Sequence, residues 1–313
     1  MDRFLITGGA GFIGSNIADR LLEEGHFVRV MDNFFTGKKE NLSRAAQSGN
    51  FEFVEGDIRD VDVVRSACKG IDFVLHEAAI PSVPRSLDDP LTSNEVNVGG
   101  TLNVLVASRE ARIKRVVYAA SSSAYGDTPV LPKKEDMIPS PLSPYAVSKL
   151  AGEHYCKVFS GAYGLETVSL RYFNIFGPRQ DPHATYAAVI PRFITAMLRG
   201  ESPLVNGDGE QSRDFTYIEN VIQANISACY SRGVNGMLFN VACGGRFSLN
   251  ELLRKLEGIM EKKANQQYLP PKRGDVRYSH ADIAGAQQYL GYRVLVGFDE
   301  GLRKTVDYFA GSK

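Results

Sequence analysis

The chain has 313 residues, enough for one large or two ordinary domains and for a substantial buried core. Of its residues 43% are hydrophobic and 23% charged, with lysine plus arginine at 36 and aspartate plus glutamate at 36. Zero net charge argues against a nucleic-acid partner held by bulk electrostatics, so any affinity for a polyphosphate has to be local. No stretch reaches the ~20 apolar residues of a membrane span. The apolar run Phe4-Leu5-Ile6 is cut by glycines before it could form a secretory core. Cys68, Cys156, Cys229 and Cys243 match no zinc or redox spacing and read as small buried apolar residues. His26, His76, His154, His183 and His280 form no ligand spacing either, and no metal is expected. These features describe a reduced, cytoplasmic protein.

In chain order, a short apolar strand over residues 3–7 runs into Thr7-Gly8-Gly9-Ala10-Gly11-Phe12-Ile13-Gly14 and then into a helix over 11–24. Ile13, Ile17, Leu21 and Leu22 give that helix one apolar face, and Gly25 ends it. A glycine-rich turn between strand and helix is the setting of a dinucleotide fingerprint: glycine allows the tight turn and the close approach of a pyrophosphate, which the helix N-terminus then favours. A phosphate-loop NTPase would carry Gly-Lys-Ser or Gly-Lys-Thr here, and this chain does not. Asp32 closes a second strand over 27–32, near the ~20-residue spacing at which a carboxylate accepts from the adenosine ribose. It selects NAD, because it would repel the 2′-phosphate of NADP. Asp57 follows a third strand over 51–55 and could meet the adenine. Either acid alone could be no more than a solvated strand end.

A fourth strand is expected over 73–77, a fifth over 115–120 and a sixth over 166–171. Strands alternating with amphipathic helices predict a parallel sheet with crossover helices. The fifth ends in Ala119-Ala120-Ser121-Ser122-Ser123-Ala124, and ligands of open α/β sheets gather at such C-terminal ends. Pro144 starts a helix that sets Tyr145 and Lys149 four residues apart on one face. A surface helix could show that pair by chance. Beside a dinucleotide turn it has a chemical use, since a lysine cation and an oxidised nicotinamide ring would favour the phenolate of a tyrosine whose ordinary pKa is ~10. Ser121 would bridge that tyrosine and a substrate hydroxyl, and Lys149 would also hold the nicotinamide ribose. After Arg171 prolines and loops punctuate a less regular region, in which residues 237–241 read as a strand rejoining the main sheet.

These residues resemble the extended short-chain dehydrogenase/reductases over essentially the whole chain. The likeness rests on the Thr-Gly-x-x-Gly-x-x-Gly turn, His76-Glu77-Ala78-Ala79, Asn97, Ser121, Tyr145 and Lys149. It implies an α/β fold: a doubly wound, mostly parallel Rossmann sheet, NAD-binding over 1–171, with a smaller C-terminal α/β lobe for the nucleotide sugar over 172–313. It also implies a homodimer built on the helices of 101–111 and 144–163. By the same likeness the cofactor meets Gly8, Gly11, Phe12, Ile13 and Gly14, then Asp32, Asn33, Thr36 and Gly37, then Asp57 and Ile58, then Ala78, Ala79 and Ile80. Asn97, Ala119, Tyr145, Lys149 and Tyr172 complete that set.

Within the superfamily, Leu170-Arg171-Tyr172-Phe173-Asn174 and Arg213-Asp214-Phe215 are similar to the UDP-sugar 4-epimerases. Relatives that dehydrate or decarboxylate carry an acid just after the strand-five serine, where Ser122, Ser123 and Ala124 stand here; that favours epimerisation through a 4-keto sugar, with hydride lent to NAD and returned. A nucleotide-sugar dehydratase or reductase is the alternative reading. A non-catalytic dinucleotide sensor is a remoter one, since such relatives lose the tyrosine or lysine. The runs at 81–86, 178–182 and 186–191 look like the epimerases that favour UDP-N-acetylglucosamine and UDP-N-acetylgalactosamine. Epimerases restricted to non-acetylated sugars carry a tyrosine four residues after the aspartate of Gly-Asp; here Gly274-Asp275 leads to Ser279, leaving room for a 2-acetamido group. Ser279 could otherwise be a plain surface serine, and Tyr278 could swing into the space. The resemblance places the nucleotide sugar against Ser82, Val83, Arg85, Ser122, Ser123, Asn174, Ala188, Val189, Val205, Arg213, Asp275 and Ser279. It leaves open which of Lys272 and Arg273 meets a phosphate, and Pro81 replaces a lysine of the family.

Overall fold

The computed structural model describes residues 1–184, 187–271 and 276–311. Phe4, Leu5 and Ile6 are wholly buried, as a strand covered on both faces requires, and β1 (Arg3–Thr7) lies inside a seven-stranded parallel sheet. The chain continues through α1 (Phe12–Glu23), β2 (Phe27–Asp32), β3 (Phe51–Glu55), α2 (Val61–Cys68), β4 (Phe73–His76), α3 (Val83–Asp88), α4 (Pro90–Asn94), α5 (Thr101–Glu110), β5 (Arg115–Ser121), α6 (Pro144–Tyr163) and β6 (Thr167–Tyr172). It then forms β7 (Ile175–Phe176), α7 (Val189–Arg199), β8 (Leu204–Asn206), β9 (Ser212–Arg213), β10 (Thr216–Tyr217), α8 (Ile218–Tyr230), β11 (Met237–Val241), β12 (Phe247–Ser248), α9 (Leu249–Met260), β13 (Gln267–Leu269), α10 (Ala284–Leu290) and α11 (Phe298–Gly311).

The sheet order is β11-β6-β5-β4-β1-β2-β3, all neighbours parallel, so the winding reverses between β1 and β4. β11 joins at the far edge, as the sequence predicts for 237–241. Two apolar layers cover the two faces: one carries Phe4, Ile6, Ile17, Val117, Leu170 and Val221, the other Leu5, Val74, Val104, Val116 and Phe159. The same alternation along β1 feeds both. Four of the expected strand ends shift by one residue. Helix ends follow local chemistry. The side chains of Asp60 and Ser143 cap α2 and α6, Ser248 and Glu251 form a capping box on α9, and Gly164 ends α6 in the left-handed region at φ 70°. Cys68, Cys156 and Cys229 are buried free thiols, and burial pushes the first two up to about 11 and about 12. Among the described residues, no helix is long and apolar enough to cross a membrane.

One buried ion pair ties α6 to the sheet. Arg171, near the end of β6, donates from Nε and Nη2 to Glu153 of α6 at 2.8 and 2.7 Å, and its guanidinium lies 4.4 Å from the centre of the Tyr125 ring. The side chains are 2% and 7% exposed, so neither charge has water to fall back on. Glu153→Ala should therefore destabilise the fold by about 3–5 kcal/mol, the cost of stranding one buried charge, read as a lower urea midpoint, whereas replacing both residues by apolar ones of similar volume should cost less.

Candidate active site

The turn from β1 to α1 and the chain leaving β4 touch at the point where the winding reverses. Gly8 has φ +70°, and a Cβ there would lie 2.6 Å from the backbone of Ala78; at Gly14 it would lie 2.6 Å from the carbonyl oxygen of Gly8. Both positions admit only glycine without displacement. Gly11 at the N-terminus of α1 has no side-chain cap, which leaves that helix end open to an anion. Behind the seam, Thr101 Oγ1 donates to the Asn97 carbonyl at 2.6 Å, so it accepts from His76 Nε2 at 2.9 Å, and His76 Nδ1 accepts from Thr7 Oγ1 at 2.7 Å. Burial lowers the imidazole to about 3, so the ring is neutral and the direction of the chain of bonds is set.

A cavity of about 780 Å³ opens over this seam. Gly8, Gly11, Phe12, Ile13 and Gly14 form its floor, Asp32, Asn33, Thr36 and Gly37 one end, and Asp57, Ile58, Ala78, Ala79 and Ile80 a side. Ala119, Tyr145, Lys149 and Tyr172 close the other end, with Ser82, Arg85 and Ala188 along the rim. Asp32 is buried; its Oδ2 accepts the Ala10 amide at 2.9 Å and its Oδ1 the Phe34 amide at 2.8 Å. Burial raises this carboxyl, and the backbone bonds pull it back. Asp57 is held low by Arg59, which reaches it at 2.7 Å, and also accepts from Asn33 at 2.9 Å.

At the far end Tyr145 and Lys149 share a face of α6, as their spacing predicts. Lys149 is buried and donates to the Ala119 carbonyl at 2.8 Å; burial lowers the ammonium to about 8. Burial raises the Tyr145 phenol, and its hydrogen bond with Ser121 pulls it down. Ser121 Oγ also accepts from the amide and hydroxyl of Ser123, the latter at 2.8 Å. The strand-end serines and the α6 pair are thus one cluster.

Other expected residues lie off the cavity wall. Asn97 is wholly buried behind it: the side chain accepts the Ile80 amide at 2.7 Å and donates to the Ile80 carbonyl and Ser148. It holds the Ile80 turn against α6 rather than presenting itself to a ligand. Asn174, at φ 40°, donates to the Asp214 carbonyl and to Ser279 Oγ, both at 3.2 Å. Arg213 donates to the Ser212 and Arg277 carbonyls. Val205 is buried on β8, Val189 opens α7, Val83 opens α3, and Ser122 starts the turn after β5. Ser82, on the cavity rim, caps α3 from φ 116°, a strained value for a side-chain-bearing residue. The exposed Tyr278 ring lies 5.6 Å from the Arg246 guanidinium and 5.8 Å from that of Arg277. Lys272, Arg273, Gly274, Asp275 and Tyr186 lie outside the described residues.

Several residues on the wall escape the sequence reading. Glu77 is one, and its Oε1 accepts the Tyr172 hydroxyl at 2.8 Å. Lys38 and Asp181 are others, paired at 2.9 Å across the rim. Ser86 works from behind: its Oγ accepts the Tyr145 amide at 3.0 Å. Glu77, Ser86 and Asp181 lie in the runs 76–79, 81–86 and 178–182, which gave a signal of resemblance but no role for these side chains.

The profile of the NAD dependent epimerase/dehydratase family matches residues 4–242, most of the sheet and all of the cluster just described. The chain belongs to that family. It is 40% identical over 309 residues to a UDP-glucose 4-epimerase of Mycolicibacterium smegmatis, covering 98% of each chain. Its fold is similar to a UDP-N-acetylglucosamine 4-epimerase from Methanobrevibacter ruminantium M1 solved with UDP-N-acetylmuramic acid, with TM-score 0.95 and 40% identity over 100% of this chain and 99% of that one. It is also similar to the Thermus thermophilus UDP-glucose 4-epimerase in complex with NAD, with TM-score 0.91 and 38% identity over 99% of this chain and 100% of that one. NAD is the cofactor of this family, and the side-chain-free cradle at Gly8 and Gly14, the open end of α1 and the carboxylate of Asp32 suit it. Gly8→Ala should prevent its retention: protein purified from that variant should lack the 260 nm absorbance of bound nucleotide that the parent carries.

Proposed function

We propose that this protein interconverts UDP-N-acetylglucosamine and UDP-N-acetylgalactosamine, and accepts UDP-glucose and UDP-galactose as well. It is an NAD-dependent UDP-sugar 4-epimerase by family and by its full-length relatives; the choice of sugar is the proposal. The observation that carries the reaction type is the Ser121–Tyr145–Lys149 cluster in which the residues directly after the strand-five serine, Ser122, Ser123 and Ala124, are not ionisable, Ser123 Oγ being spent on Ser121. Elimination or decarboxylation needs a further proton carrier there, whereas epimerisation needs one base used twice.

The roles follow from the contacts. Tyr145, bonded to Ser121, takes the proton of the sugar 4-hydroxyl and returns it to the oxygen once the C4 configuration has inverted. Ser121 aligns that hydroxyl with the phenol, and Lys149, anchored on the Ala119 carbonyl, supplies a cation beside the cluster and a donor for the nicotinamide ribose. Bound NAD supplies a two-electron acceptor and donor for C4 and a positive ring that favours the phenolate. Because the redox change sums to zero, the cofactor is resident. Asn174 and Arg213 are read as facing the sugar pyrophosphate, and Ser82, Val83, Arg85, Ser122, Ser123, Ala188, Val189, Val205, Lys272, Arg273, Asp275 and Ser279 as the rest of the substrate site. Residues 1–171 with β11 are read as the NAD-binding part, and 172–313 as the nucleotide-sugar part, of a cytoplasmic homodimer.

The preference for N-acetylated sugars is supported by Ser279. Its small side chain is bonded to Asn174 at 3.2 Å and the exposed Tyr278 ring lies against Arg246; on this reading Ser279 offers a 2-acetamido group a hydroxyl where a tyrosine would fill the space. Incubation with each of the four UDP-sugars, resolved by chromatography, should give conversion of the N-acetylated pair; its absence would overturn the preference. Tyr145→Phe should lower kcat about 10²–10⁴-fold with cofactor still bound. Ser279→Tyr should raise KM for the N-acetylated pair at least tenfold and leave the plain sugars within about threefold, as a filled pocket does for a substrate that no longer fits.

A further inference from the structure

Glu77 is an ionisable side chain on the cavity wall to which the mechanism gives no part. It leaves β4 half-buried, beside Ala78 and Ala79, at the end of the cavity that Tyr145, Lys149 and Tyr172 enclose. Its backbone amide donates to the Thr7 carbonyl at 3.1 Å, which fastens it to the seam at the winding reversal. Its Oε1 accepts the Tyr172 hydroxyl at 2.8 Å, that hydroxyl accepts from Asn225 Nδ2 at 2.7 Å, and Asn225 also donates to the Val221 carbonyl of α8 at 2.9 Å. A phenol has one proton to give. Asn225 Oδ1 lies 3.0 Å from that hydroxyl, but a Glu77 carboxylate is the nearer and the charged acceptor and takes the proton's hydrogen bond when ionised.

A carboxylate withdrawn from water needs hydrogen bonds or a nearby opposite charge to offset its desolvation. Among the described residues the groups facing it are Lys149 from α6, Tyr172 from β6 and the uncharged Asn225 from α8, with His76 next to it held neutral and Tyr118 of β5 protonated beside Lys149. Burial pushes Glu77 up to about 7 against the pull of Tyr172 and Lys149. It is therefore ionised above neutrality and uncharged well below it.

We propose that Glu77 is a positioning residue for charge: its carboxylate, oriented by Tyr172 and Asn225, balances the oxidised, cationic nicotinamide ring and so favours NAD over NADH in the cavity. The proposal rests on the reading that places the nicotinamide at the Tyr145–Lys149 end. A 4-epimerase begins each cycle with oxidised cofactor, and a fixed anion beside the ring opposes its being stranded in the reduced form.

The test is the ratio of reduced to oxidised cofactor in purified holoprotein, equilibrated with a two-electron dye couple and read at 340 nm at pH 6 and pH 8.5. Glu77→Gln keeps an acceptor for Tyr172 and removes the charge. The expected result is a ratio on the order of tenfold higher in E77Q than in the parent at pH 8.5, as the loss of one nearby charge in a partly desolvated site gives. At pH 6, where Glu77 takes up its proton, the difference should fall well below that at pH 8.5, and Glu77→Asp should restore the parent ratio at pH 8.5. Equal ratios at both pH values, or an equal offset at both, would overturn the proposal while leaving the epimerase reading intact. If a variant sheds cofactor, the same titration on protein reloaded with NAD supplies the ratio to be compared. Parent protein that neither carries nor takes up NAD would overturn the cofactor placement, and this inference with it.

Discussion

The site hangs from a contact between two pieces of backbone. At the reversal of the sheet the β1–α1 turn meets the chain leaving β4 so closely that Gly8 has no room for a Cβ beside Ala78. The neutral His76 spans Thr7 and Thr101 underneath and keeps the two in register. Because both pieces lie at carboxyl ends of neighbouring parallel strands, the crevice they frame is where an open α/β sheet takes its ligand. A charged imidazole could not satisfy the same partners, so burial that holds it neutral is part of how the seam is built.

Around that seam a second set of contacts aims the reacting groups without touching a ligand. Ser86 holds the amide of Tyr145, Asn97 ties the Ile80 turn to α6, and the Arg171–Glu153 pair locks α6 to the strand that carries Tyr172. The phenol, the ammonium and the strand-end serine are therefore presented by rigid elements whose own rotations are used up elsewhere, the condition for holding a catalytic geometry. The cavity rim is tied less firmly. Lys38 and Asp181 meet across it as a half-exposed pair worth at most ~1 kcal/mol, while the better shielded Arg179–Asp19 pair and the bond from Asn16 to the Pro178 carbonyl pin the same loop to α1.

The sequence by itself determined the parts that local chemistry dictates. The glycine turn, the strand-end Asp32, the serine run after β5, the Tyr-x-x-x-Lys helix start and the edge strand at 237–241 are all short-range patterns, and each lies where its pattern indicates because turn geometry and side-chain periodicity act within a few residues. The resemblance supplied the remaining wall of the cavity almost whole. What only the tertiary structure decided are partnerships across long stretches of chain. Asn97 is turned inward, where its amide is taken up by the Ile80 backbone and Ser148. The Asn174 amide is shared between Asp214 and Ser279, and Glu77 faces the catalytic end because Tyr172 and Asn225 approach it from β6 and α8. No periodicity encodes such meetings: they depend on how separate layers pack, and packing is settled by the whole chain at once.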